Sequence, residues 1–238
     1  MKDFVCKAKV VLVGGSSSRT MAYKTCKLWG EKPHVVILPT ARGDDPEIIE
    51  ETVGFYSEFA KSVDVLKLVK EKPSKEDVRR RIQAADLIYV PGGAMESLIK
   101  RWSEYDAQRW ILEAAATEGK VLVGSSAGAM AFSHTGFEDY DGEYFIDGYD
   151  IVPVWFSPHY QMEEWKRFDS FLTQKTEPKL AFAAGDDAGV LYYQGRYSAF
   201  FGEEGNSVWR FVLNDKSGLW DRTEYPADED KDITPNGY

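Results

Sequence analysis

Val121-Leu122-Val123-Gly124-Ser125-Ser126-Ala127-Gly128-Ala129-Met130 is the stretch on which the fold turns. An apolar run follows Gly119-Lys120, a G-x-S-x-G turn follows the run, and the apolar residues then continue at helical rather than alternating spacing. That pattern predicts strand, tight turn, helix. A serine at such a corner stands on a strained turn at the carboxyl end of a strand, with its hydroxyl clear of the backbone. Ser126 is therefore a candidate nucleophile. Gly124 and Gly128 let strand and helix cross closely, where a larger side chain would block them. Small residues alone would also make a plain strand-to-helix turn, so the remainder of the chain has to decide.

Working outward, 238 residues suffice for a sizeable core, and the length predicts one domain over 1–238. Hydrophobic residues make up 43% and charged residues 29%, the balance of a soluble globular chain, and 14% aromatic content argues against disorder. A formal net charge of −10 disfavours nucleic acid and anionic membrane as partners, because phosphates call for a basic face. No run of about 20 apolar residues is present to span a bilayer, and the first residues do not form a signal peptide. The sequence thus predicts a cytoplasmic protein. Cys6 and Cys26 read as free thiols, and two cysteines without C-x-x-C or H-x-x-H partners make no metal site.

Before the central stretch, strands are predicted at 8–13, 34–38, 63–69 and 86–90, and helices from Asp45-Pro46, from a capping box at Ser74-x-x-Asp77, and over 95–102 and 106–117. Strands alternating with helices at this rhythm predict an α/β fold: three layers, α/β/α, around a mostly parallel central sheet. In such sheets the ligand crevice lies at the carboxyl ends of the strands, where Gly14-Gly15, Gly92-Gly93 and Gly124-Gly128 all fall. Gly14-Gly15-Ser16-Ser17-Ser18 lacks the endings of a phosphate-binding loop and reads as a tight strand exit lining that crevice. Beyond the central helix, 137–143 is an acidic loop, strands are expected at 144–151 and 154–156, and a helix over 162–172. Short strands at 180–183, 189–193 and 197–201 predict a small antiparallel extension, and the tail from 221 looks solvated or frayed.

A serine nucleophile needs a base, and the chain offers His34, His134 and His159. His34 opens a buried strand far from the crevice. His134 lies eight residues past Ser126 on the predicted helix, a rise of about 12 Å away from it. His159, in Ser157-Pro158-His159-Tyr160 at a strand exit, is left as the base. A carboxylate on its other nitrogen would fix the tautomer, and four aspartates compete for that place: Asp139 and Asp141, or Asp186 and Asp187. Spacing does not choose among them. The Ala127 N–H and one from Gly92 or Gly93 are candidate donors to an oxyanion.

Leu87-Ile88-Tyr89-Val90-Pro91-Gly92-Gly93, then Gly124-Ser125-Ser126-Ala127-Gly128-Ala129, then Ser157-Pro158-His159-Tyr160, in this order and at these intervals, resemble the dipeptidase E (aspartyl dipeptidase) and cyanophycinase family of serine peptidases. The likeness covers roughly residues 8 to 193. It implies a class I glutamine amidotransferase-like fold with serine in place of cysteine, Ser126 as nucleophile, His159 as base, Gly93 as an oxyanion donor, and Asp187 or Asp139 as the acid. It also implies an enzyme that cleaves short peptides, aspartyl-X peptides in the family's own case, through an acyl-enzyme, without cofactor or metal. Members usually continue the double glycine with asparagine-threonine, and here stand Ala94-Met95, so two polar contacts to substrate are missing. For an acidic side chain in a protein of this charge, Arg19 and Arg167 are the receptors by position. A homodimer is left open. The alternative from another class is a catalytically silent protein that binds amino acids or peptides on the same fold. An α/β-hydrolase esterase would place its histidine after the acid near the C-terminus, where none follows His159, and a glutamine amidotransferase would need a cysteine at the elbow.

Overall fold

Alternating burial along one strand sets the layers. In a computed structural model of the chain, which describes residues 4–139, 143–203, 206–227 and 230–235, β1 (Lys9–Val13) sends Val10 and Leu12 to one face of a sheet and Val11 and Val13 to the other. For Asp139, Glu143 and Tyr144 the description is of backbone alone. The first half then alternates as its sequence pattern predicts: α1 (Arg19–Trp29), β2 (His34–Ile37), α2 (Pro46–Ser57), β3 (Ser62–Val65), α3 (Lys75–Ala84), β4 (Leu87–Val90), α4 (Met95–Tyr105), α5 (Ala107–Ala115), β5 (Val121–Ser125) and α6 (Ala127–Phe132). Local chemistry starts these helices. Ser18, Asp45 and Ser74 each accept a hydrogen bond from the first turn of α1, α2 and α3, and Pro46 supplies a preset φ at the start of α2.

Strands β1, β5, β4, β2 and β3 run parallel to one another. Met21, Ala22 and Cys26 of α1 and Tyr56 of α2 cover one face, against Val11, Val13 and Val123. Helices α3 to α6 cover the other, with Ile82, Leu98, Trp102 and Ile111 among the buried side chains. This is the three-layer α/β/α arrangement.

The second half is β6 (Ser133–Asp139), β7 (Glu143–Asp147), β8 (Val152–Ser157), α7 (Phe168–Leu172), β9 (Leu180–Ala184), β10 (Ala188–Tyr193), β11 (Arg196–Phe201), β12 (Val208–Leu213), β13 (Trp220–Tyr225) and β14 (Lys231–Asp232). Among the described residues, β10, β11 and β14 extend the central sheet antiparallel from β1, giving eight strands in the order β14-β11-β10-β1-β5-β4-β2-β3. That is the expected extension, but β9 does not belong to it. It joins a second, six-stranded sheet, β13-β12-β9-β8-β6-β7. One face of this sheet packs Val152, Val154, Phe182 and Val208 into the same core as α3 to α6, and the other gathers Phe137, Trp155 and Phe211 against Phe168 and Leu172 of α7.

Three further expectations fail. The helix after Ser126 stops at Phe132, so His134 stands on a strand. Ser133 turns to extended backbone, its hydroxyl donates to the Met130 carbonyl, and β6 gains a parallel partner in β8. The described residues of the tail do not fray either. β13 pairs with β12 along its length, Lys231 and Asp232 of β14 pair with β11, and Ile233 is buried, so these segments are tied down by their neighbours' edges. The predicted helix over 162–172 is a short 3₁₀ turn, Glu163–Arg167, followed by α7.

Candidate active site

The corner between β5 and α6 has the geometry that its sequence demands. Ser126 adopts φ 48°, ψ −112°, a conformation that costs a non-glycine residue about 1–3 kcal/mol and persists only where its surroundings over-determine it. Here they do: the Ser126 N–H donates to the Val13 carbonyl (2.9 Å), and the Ser126 carbonyl accepts from the Met130 N–H (2.9 Å). Strand and helix cross so closely that a Cβ on Gly124 would stand 2.4 Å from the Gly128 carbonyl, and one on Gly128 would stand 2.1 Å from the Val90 carbonyl oxygen. The exit of β4 lies beside the serine. A Cβ on Gly92 would sit 3.4 Å from Ser126 Oγ, and Gly93 (φ 141°) follows it in the wall of the same cleft.

From the second sheet comes the histidine beside Ser126. His159 follows β8 with φ 49° and donates its N–H to the Gly14 carbonyl (2.9 Å), which ties the loop to the exit of β1. Its Nε2 is 3.0 Å from Ser126 Oγ, and its Nδ1 is 2.8 Å from Asp186 Oδ1. Trp165 leans on the imidazole, with ring centroids 5.2 Å apart. Asp186 is held in turn: its N–H donates to Gln161 Oε1 (3.1 Å), and its carbonyl accepts from Asn206 Nδ2 (2.7 Å). Burial pushes its carboxyl up, but hydrogen bonds and charge from His159, with bonds from Gln161 and Ser16, outweigh that and hold it below the ordinary carboxylate value. It is an anion at neutral pH.

The carboxylate beside His159 is thus that of Asp186 and not of Asp187. Asp187, 2% exposed, turns the opposite way from its neighbour. Its carboxylate accepts from the Ser18 N–H (2.8 Å) and the Glu203 N–H (2.5 Å), and its own N–H donates to the Ser16 carbonyl. The positive φ of 54° at Asp187 turns the chain between the two aspartates, so one faces the imidazole and the other pins the Ser16 to Ser18 loop. Asp139 ends β6 opposite Glu143, and its side chain lies outside the described residues, as does the whole of Asp141. The remaining histidines are engaged elsewhere, His34 with Ser62 and His134 with Asp150.

The serine and histidine open onto a cleft of about 790 Å³. Ser126, His159 and Asp186 line it, together with Gly15 to Ser18 and Gly92 to Met95. Ile48, Thr52, Phe55 and Tyr56 of α2, with Tyr89, make an apolar wall. Arg19, paired with Glu58, and Arg167 do not line it; Arg42, in the turn after β2, does, and sequence reasoning missed it. Glu51, Glu96 and Glu138 also line it. Among the described residues no group of three or more His, Cys, Asp or Glu side chains is placed to hold a metal ion, and no helix is long and apolar enough to cross a membrane.

A family model described as peptidase family S51 matches residues 3–196. An uncharacterized peptidase of Bacillus subtilis (strain 168), YgaJ, is 32% identical over 168 residues, 68% of this chain and 70% of its own length. Two solved structures share the fold: a peptidase from an acI-B1 actinobacterium, with TM-score 0.71 at 19% identity over 97% of this chain and 99% of that one, and a putative peptidase E protein from Listeria monocytogenes EGD-e, with TM-score 0.64 at 18% identity over 84% and 100%.

Proposed function

The chain belongs to peptidase family S51 and is a serine-type peptidase, and from that premise we propose that it hydrolyses short peptides through an acyl-enzyme on Ser126, with His159 as base and Asp186 as the orienting acid. The observation that carries this reading is the unbroken line Asp186 Oδ1 to His159 Nδ1 and His159 Nε2 to Ser126 Oγ, at 2.8 and 3.0 Å, in the lining of a cleft. A protein that merely held a peptide would have no need of a serine on a strained corner with an oriented imidazole against it.

Ser126 Oγ attacks the peptide carbonyl carbon as its proton passes to His159 Nε2. Asp186 holds the imidazole through Nδ1–H and offsets the charge that the ring acquires. The oxyanion is received by the N–H groups of Ala127 and Gly93, and loss of one such donor costs about 3 kcal/mol of transition-state stabilisation. His159 returns the proton to the leaving amine, and the C–N bond breaks. Water, deprotonated by the same imidazole, then attacks the ester carbonyl and frees the acid and Ser126. The cleft volume fits a ligand of a few residues rather than a folded chain.

The test is release of free amino acids from a dipeptide panel that includes aspartyl-X and neutral-X peptides, by the wild type and by Ser126→Ala. Hydrolysis by the wild type that vanishes in the variant is the expected result. Wild-type protein inert on every peptide, or a variant that hydrolyses as fast, would overturn the reading.

A further inference from the structure

The cleft holds more negative charge than the hydrolytic step uses. Asp186 is committed to His159, yet Glu51, Glu96 and Glu138 line the same space, against one guanidinium, that of Arg42, among the described lining residues. Glu51, Glu96 and Arg42 are solvent-exposed; Glu138, on β6, is 7% exposed. No hydrogen bond or ion pair among the described residues reaches the Glu138 carboxylate, and the charge acting on it is the like charge of Glu96. Burial first, and Glu96 second, raise its pKa. A buried carboxylate facing another carboxylate is destabilised unless a cation or a set of donors compensates it.

Both glutamates are tied to the chemistry by the chain. Glu96 is on the first turn of α4, immediately after the Gly92-Gly93 exit that lies against Ser126, and Glu138 is on the strand that leaves α6, the helix that Ser126 opens. Ala94 and Met95, between the glycines and Glu96, offer no polar side chain of their own that would compete for the carboxylates. A substrate with an aspartyl side chain lodged here would add a further negative charge to the pair. A substrate with a positive charge would relieve it.

Resting on the hydrolytic reading above, we propose that Glu138 and Glu96 form an anionic subsite that receives a cationic group of the substrate, an ammonium or guanidinium carried on a side chain or at a free amino terminus. Two peptide pairs separate these sources. Lysyl-alanine and norleucyl-alanine differ in the side-chain ammonium alone, and norleucyl-alanine and its N-acetyl derivative differ in the α-ammonium alone. In one pair the wild type should favour the cationic member by about tenfold or more in kcat/KM, and Glu138→Gln should bring that ratio to near unity. Should Glu138→Gln fail to fold, Glu96→Gln on the exposed turn must lower the ratio by itself. A wild-type ratio at or below unity in both pairs, or a ratio that neither variant moves, overturns the proposal. If no peptide is hydrolysed at all, the hydrolytic reading falls and calorimetry with Ser126→Ala decides the subsite alone: tighter binding of the cationic member in either pair upholds it, and equal or absent binding in both ends it.

Discussion

Ser126 and the two side chains aligned behind it come from halves of the molecule that are built differently. The Ser126 corner is made of contacts that a short stretch of chain dictates: a buried parallel strand, two glycines at a backbone crossing, and a helix that starts at once. His159 and Asp186 stand on loops at the ends of β8 and β9, and each is placed by bonds to residues far away in sequence, His159 to Gly14 and Asp186 to Gln161 and Asn206. One half is specified locally and the other by assembly. Ser126 is set by its neighbours in the chain, but His159 and Asp186 line up behind it only when the two sheets meet.

The sharpest way to break that comparison is to exchange the roles of two adjacent residues. Asp186→Asn leaves the fold and removes the charge that orients His159, and kcat on a cleaved peptide should fall about 10⁴-fold with little change in Tm. Asp187→Asn does the opposite. Its carboxylate serves two backbone N–H groups, and an amide oxygen serves fewer, so stability should fall by about 2–3 kcal/mol while kcat in the folded fraction falls far less. Kinetics and thermal denaturation of both variants check this. Equal kcat losses, or a larger loss from Asp187, would place the acid on the wrong neighbour.

This pair also marks where sequence stops being informative. The β/α rhythm, the corner at Ser126 and the Ser157-Pro158-His159-Tyr160 exit were legible because each is a local pattern with a local cause. In Gly185-Asp186-Asp187-Ala188-Gly189 the two carboxylates are chemically identical, and what separates them is a positive φ at Asp187 together with the position of the Ser16 to Ser18 loop, contributed from 169 residues away. The second sheet was hidden for a similar reason. β6 pairs with β8 and β9 with β12 through contacts that no single segment encodes, and so a strand at 133–139 read as the end of a helix followed by an acidic loop. Arg42 gave no signal either: one arginine in a turn acquires meaning only when α2 and the β4 exit close around it.

Gly15 is where the two halves touch, and a methyl group there tests the contact. A Cβ at Gly15 would stand 1.6 Å from Asp186 Oδ1 and 2.7 Å from His159 Nδ1, so the Asp–His pair has to move. Misplacement of that order in a catalytic constellation costs about 10²-fold, and Gly15→Ala should lower kcat/KM by at least that much. The displaced atoms belong to side chains, and stability should suffer less than from Gly128→Ala, where the obstacle is the Val90 backbone carbonyl. Parallel measurement of activity and Tm for the two variants gives the ranking; activity preserved in Gly15→Ala would mean that the pair tolerates separation.

A smaller effect appears on acidification. Asp186 has its pKa depressed in the folded state, so it adds stability above the unfolded carboxylate value of about 3.9, and that contribution is lost as pH falls through the folded value. The exposed Asp77 and Asp232 are also depressed, by Arg80 and by Thr234 with Arg196, but they are common to the wild type and Asp186→Asn. The Tm difference between these two proteins should therefore be widest near neutrality and close as pH drops below about 4. A difference that stays constant or widens to pH 3 would show that the His159 partner is not held as an anion.

The smallest effect expected is none, and it bears on which half carries the nucleophile. Cys26, on α1 beneath the parallel sheet, is pushed up to about 12 by burial; Cys6 is pushed up to about 11, burial outweighing the Ala8 carbonyl that its thiol meets. Neither lines the cleft. Thiols so far above neutrality are almost wholly protonated, and a protonated thiol is a poor nucleophile. Iodoacetamide on the native protein at neutral pH should modify neither cysteine and leave hydrolysis unchanged, whereas the denatured chain should take up two equivalents, one for each cysteine. Rapid labelling of Cys26 in the native state would mean that α1 opens away from the sheet on which the Ser126 corner is built. The locally specified half would then be the mobile one, and its strained serine would lack the rigid support that its backbone geometry requires.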